Sequence, residues 1–185
     1  MITELDKNTA LILIDLQNSI VKQPLAHPID KVLSNVNLLI AAFRKKELPI
    51  IAINVNPNGA AWTKTRKETK PPTPPPGDDW NKLTDQINIT EADICITKHT
   101  WNAFFETTLN EELKKKSVTG IVLAGISTSI GVEGTARAAS ELAYNISFAT
   151  DAMTDGKEEG HTRSIQLIFP RMGETGTTED IINAL

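Results

Sequence analysis

A chain of 185 residues suits one domain with a sizeable core and is short for two. Hydrophobic residues at 40% and charged residues at 23% are the proportions of a soluble globular protein. A net charge of −4 argues against nucleic acid as the main partner, because phosphate binding needs a concentrated basic face.

The amino-terminal stretch MITELDKNTALILID carries acids early and enters an apolar run at once, unlike a signal peptide. No apolar stretch reaches the roughly 20 residues of a membrane span. With one cysteine, Cys95, no internal disulfide can form. The expectation is a cytoplasmic protein that meets neither membrane nor nucleic acid.

Five apolar runs read as buried parallel strands: Ala10–Ile14, Ile50–Val55, Asp93–Thr97, Gly120–Ala124 and Asn145–Ala149. Between them lie segments of helical period. Val32, Val36, Leu39, Ile40 and Phe43 form one, Phe105, Leu109 and Leu113 a second, and Val132, Ala136, Ala139 and Ala143 a third. The run Lys114-Lys115-Lys116 suits the solvated end of the second helix. Asp155 with Glu158 reads as a capping box, opening a helix that carries Ile165 and Ile168 and stops before Pro170. An extended piece near Gly173–Thr177 and a helix from Thr178 to Leu185 close the chain.

This alternation predicts a parallel sheet with helices on both faces. The exception is the loop at about 56–85, with Pro71 to Gly77 extended at its centre. About 30 residues exceed a plain connector. A lid, a subunit contact, a functional loop and a stiff surface spacer all remain open, and an SH3-type ligand would need a partner.

Ligands of open parallel sheets bind beyond the carboxyl ends of the strands. There this chain places Asp15, Asn56, Lys98 and the turn Ile126-Ser127-Thr128-Ser129-Ile130-Gly131 leading into a helix. Opposite charges at the rim of a dry sheet shift each other's pKa. The turn offers hydroxyl and N–H groups for a carboxylate or an oxyanion. Plainer readings stand beside these: Asp15 as a turn former, Lys98 as a solvated cation, the small residues after Gly131 as close packing. His27, His99 and His161 are isolated, which predicts structural or surface roles and no metal site. Cys95 reads as a small buried hydrophobe. Trp62, Trp80 and Trp101 flank the long loop and suit a pocket, the core or a subunit contact.

The pieces TALILIDLQNSI, ITKHTWNAFFETTL, VTGIVLAGISTSIGVEGTARAASELAYNISFATDAMTD and HTRSIQLIFPRMGETGTTEDIINAL, in that order, resemble the isochorismatase-like (cysteine hydrolase) superfamily over nearly the whole length. The resemblance implies a single domain, residues 1–185, with a three-layer α/β fold on a six-stranded parallel sheet. It also implies a homo-oligomer, no cofactor and a small-molecule substrate. Asp15 and Lys98 are then the catalytic pair. Asn56, Trp101, Ile126, Ser127, Ser129, Ile130 and Gly131 form the substrate site, with a cis peptide between Ile126 and Ser127. Amidase-type members carry a nucleophilic cysteine where this chain has Gly131, so acyl-enzyme chemistry at that position is excluded. Isochorismatases also have glycine there, but an amide longer than Asn56 after the second strand. The resemblance thus points to hydrolysis without a covalent intermediate, of the vinyl-ether type. The alternatives are another small C–O or C–N substrate and a degenerate, ligand-binding member. For isochorismate's two carboxylates, Lys64, Arg66 and Lys67 are candidate partners besides Lys98. A phospho-receiver domain would need an acidic pair after the first strand, and Leu16-Gln17 supply none.

Overall fold

The computed structural model describes residues 2–69 and 79–185. The proline-rich centre of the long loop lies outside the described residues. Six parallel strands form one sheet in the order β3-β2-β1-β4-β5-β6. They are β1 (Thr9–Ile14), β2 (Ile50–Val55), β3 (Ile94–Lys98), β4 (Gly120–Ile126), β5 (Asn145–Thr154) and β6 (Glu174–Gly176). The helices are α1 (Asn18–Val21), α2 (Ile29–Lys45), α3 (Leu109–Lys115), α4 (Glu133–Glu141), α5 (Glu158–Arg163) and α6 (Thr178–Ala184). No helix among the described residues is long and apolar enough to cross a membrane.

Side chains of a strand alternate between faces, and β1 is buried throughout because both faces are covered. Ala10, Ile12 and Ile14 join a core with Leu109 and Leu113 of α3 and Ala136 and Ala139 of α4. Leu11 and Leu13 join the opposite core with Val36, Leu39, Ile40 and Phe43 of α2 and Ile181 of α6. This is the three-layer α/β sandwich expected from the alternation of elements. Gly125 adopts φ +122°, and a Cβ there would lie 2.1 Å from the Ile14 carbonyl oxygen. Only glycine lets β4 approach β1 so closely.

The structure corrects several local expectations. β3 is an edge strand, so Cys95 is exposed rather than buried. β5 runs to Thr154 because Asp151 accepts hydrogen bonds from Thr178 N (2.6 Å) and Oγ1 (2.8 Å), so a polar residue is satisfied within the layers. Phe105 is 52% exposed and precedes α3, while Ala143 has φ +64° and lies just past the end of α4. The last long helix starts at Glu158 without a side-chain cap, because the Asp155 carboxylate is engaged elsewhere. It widens over Ser164–Ile168 and continues as a tight turn through Pro170 instead of stopping before it. The capping box belongs to α6, between Thr177 and Asp180.

Candidate active site

The carboxyl ends of β1, β3 and β4 frame the candidate site. Asp15 follows β1 with φ +54° and donates its N–H to the Ile53 carbonyl at 2.8 Å. Lys98 ends β3, two strands away, about 10 Å across the sheet. Its long stem spans that distance, and Nζ lies 2.9 Å from Asp15 Oδ2. Nζ also donates to the Trp101 carbonyl at 2.8 Å. Lys98 is fully buried and Asp15 is 6% exposed.

Burial pushes the Asp15 carboxyl up, from 3.8 to about 6, against the opposing pull of the Lys98 charge and its hydrogen bond. Asp15 Oδ1 is buried without a hydrogen-bond partner among the described residues. A protonated oxygen would suit that position better than an ionised one.

Gly131 forms the adjacent wall. A Cβ at this residue would lie 2.9 Å from Ile14 Cγ2, 3.0 Å from Asp15 Oδ2 and 3.2 Å from Lys98 Nζ. Position 131 therefore touches the charged pair, and in this chain it carries no side chain. The turn leading to it has a cis Ile126–Ser127 peptide and a widened helical turn over Thr128–Val132. Two of its N–H groups are already used inside the protein. Ser129 N donates to Asp155 Oδ2 at 2.7 Å, and Ile130 N donates to the Ser127 carbonyl at 3.1 Å. The Ser129 hydroxyl also donates to Asp155 Oδ2, at 2.8 Å.

The other residues singled out from sequence spread around this centre. Asn56 turns its Oδ1 toward the Asn58 N–H at 3.1 Å and so shapes the loop after β2. Trp101 meets Lys98 through its carbonyl, while its ring, with the residue 57% exposed, packs edge-on to Trp62 at 6.4 Å. Ile126 is buried beneath the turn and Ile130 is 40% exposed at its rim. Of the three candidate cations in the long loop, Lys67 folds back onto Trp62, and none is hydrogen-bonded or ion-paired to Asp15 or Lys98. A cleft of about 700 Å³ lies between the loops after β2 and β3. A smaller cavity of about 280 Å³ opens at the opposite, amino-terminal edge of the sheet, by Asp6 and Thr9, far from the pair.

Three further positions that brace the site were not among the site residues read from the sequence. Asp155 anchors the site turn through Ser129; it ends a strand as Asp15 does, but its spacing to Glu158 read as a cap. His161 Nδ1 meets Thr128 Oγ1 at 2.9 Å and so braces the same turn. The fully buried Gln17 clamps Val55 through Oε1 (2.7 Å to N) and Nε2 (3.2 Å to O), holding the rim of β2 beside Asp15. Neither His161 nor Gln17 has a neighbouring motif to reveal it.

The family model for the isochorismatase domain matches residues 9–180. The chain belongs to the isochorismatase family. It is 37% identical over 182 residues to the uncharacterized isochorismatase family protein YwoC of Bacillus subtilis (strain 168), covering 95% of this chain and 93% of that one. It is 36% identical to the uncharacterized isochorismatase family protein YecD of Escherichia coli O157:H7, covering 97% of each. Among solved structures, an isochorismatase family protein from Burkholderia thailandensis superposes with a TM-score of 0.93 at 36% identity, covering 100% of this chain and 99% of that one. Nicotinamidase 3 of Arabidopsis thaliana is a more distant relative, 28% identical over 86% of this chain and 79% of its own.

Proposed function

We propose that this isochorismatase-family protein hydrolyses a small molecule without a covalent enzyme intermediate, with Asp15 as general acid on a vinyl ether of the isochorismate type. The observation that carries this reading is the buried Asp15, raised to about 6, with Oδ1 unpartnered among the described residues and a glycine in place of a nucleophile beside it. Asp15 delivers its proton to the terminal carbon of the enol ether, and the ether oxygen shares the resulting positive charge. Water adds to the oxocarbenium carbon and loses a proton, and the hemiketal collapses to a ketone and a free alcohol. Lys98, at 2.9 Å, stabilises the Asp15 carboxylate once the proton has left.

A positioned general acid contributes about 10²–10⁴-fold. Asp15→Asn is therefore expected to lower isochorismate hydrolysis by that factor while the fold, read by near-UV circular dichroism, is kept. A variant that hydrolyses isochorismate at the parent rate overturns the assignment.

One observation favours a second reading within the same chemistry. Among the described residues no cation besides Lys98 contacts the pair, and the Lys98 ammonium is fully buried and already engaged by Asp15 Oδ2 and the Trp101 carbonyl. That suits an uncharged or cationic C–O or C–N substrate better than a dicarboxylate. A panel of isochorismate, nicotinamide and carbamoyl amines separates the two readings.

A further inference from the structure

We infer that the cleft between the loops after β2 and β3 is a binding site for a primary ammonium carried on an apolar body. Its walls combine two exposed or half-exposed aromatic rings, Trp62 and Phe105, with Asn58, His99, Asn102 and Glu106, around about 700 Å³. Among its described lining residues, Glu106 is the one carboxylate and neither lysine nor arginine is present, and Glu106 has no ion pair or side-chain hydrogen bond among the described residues. An unpaired carboxylate beside apolar walls favours a cation.

His99 supplies a second acceptor. Its Nδ1 lies 2.7 Å from the Asn56 carbonyl oxygen, which can only accept. In the neutral ring the proton is therefore on Nδ1, and Nε2 keeps its lone pair. His99 is itself held in place, because its carbonyl accepts the Trp62 indole N–H at 2.6 Å. The Glu106 carboxylate and His99 Nε2 are thus two acceptors among the residues that line this one cleft, and an ammonium has N–H groups to meet them.

The Trp62 ring shows the same preference within the chain. Lys67 Nζ stands 5.1 Å from its centroid, tethered to the Trp62 carbonyl and the Thr65 hydroxyl. Lys67 does not line the cleft. The indole face thus already accepts one ammonium, and Glu106 and His99 offer a second one a place.

The test compares benzylammonium with benzyl alcohol, a neutral ligand of similar shape, in titrations of the full chain followed by backbone amide NMR. Benzylammonium is expected to bind about tenfold or more tightly than the alcohol at low salt, shifting the amides of His99, Thr100 and Phe105. Glu106→Gln, at an exposed position, is expected to erase the difference while leaving the alcohol unchanged. Equal binding of the two ligands, an undiminished preference in Glu106→Gln, shifts confined to another surface, or no binding at millimolar ligand would each overturn the site. Because binding is read directly, a chain inactive on isochorismate still tests this inference, and its failure leaves the Asp15 reading untouched.

Discussion

A methyl group placed on Gly131 would meet Ile14 Cγ2 at 2.9 Å and Asp15 Oδ2 at 3.0 Å. The first distance is shorter than real Cβ contacts, so Ile14 or the turn must shift. Overpacking of this kind costs about 1–3 kcal/mol. Gly131→Ala is expected to lose about that much in urea unfolding and to weaken any Asp15-dependent hydrolysis. An alanine variant as stable and as active as the parent would mean that the turn gives way freely. At this scale the meeting of Asp15 and Lys98 was legible because one follows and the other ends an apolar strand, so both land at the carboxyl edge of the sheet. Asp155 obeys the same rule, yet a nearby glutamate at cap spacing concealed it. Which N–H groups of the turn remain free could not be read either, because Ser129 N is taken by a carboxylate 26 positions later in the chain.

At the scale of elements, the strands that were plain in the sequence are those buried on both faces, where Ile, Val and Leu run without alternation. β3 was found as a strand, but its edge position was not, because strand order is set by crossovers and not by the strand's own composition. Its alternate exposure, with Ile96 and Lys98 buried while Cys95 and Thr97 face solvent, follows from that position. Helix ends were the least legible, since hydroxyls and carboxylates compete for several partners. The capping box that does form joins Thr177 Oγ1 to Asp180 N at 3.2 Å and Thr177 N to Asp180 Oδ2 at 2.8 Å. Thr177→Ala is expected to cost about 1 kcal/mol, read as a lowered thermal midpoint. An unchanged midpoint would place the stability of α6 in Ile181 and its packing alone.

For the molecule as a whole, the fold class followed from the alternation of strands and helices, and the two cores on either side of β1 realise it. The same architecture separates the single thiol from the site. Cys95 is exposed on the edge strand, and partial desolvation by its neighbours together with nearby Asp93 holds its thiol above the usual range, the reverse of an activated nucleophile. Cys95→Ser is accordingly expected to leave hydrolysis unchanged, while thiol reagents label the native parent. Loss of activity in that variant would return a covalent route to consideration.

The proton on Asp15 links structure to chemistry. Its carboxyl is raised from 3.8 to about 6, so the folded state holds this proton more tightly than the unfolded chain does. That contribution to stability is complete below about pH 4 and is lost as the pH rises through about 6. Catalysis by the protonated form declines over the same upper range. The direct measurement is a carbon-13 NMR titration of the Asp15 carboxyl in the folded protein, assigned by its disappearance in Asp15→Asn. A midpoint near 6 is predicted. A midpoint at or below 4 would leave Asp15 ionised throughout the neutral range and remove the acid on which the proposed hydrolysis depends.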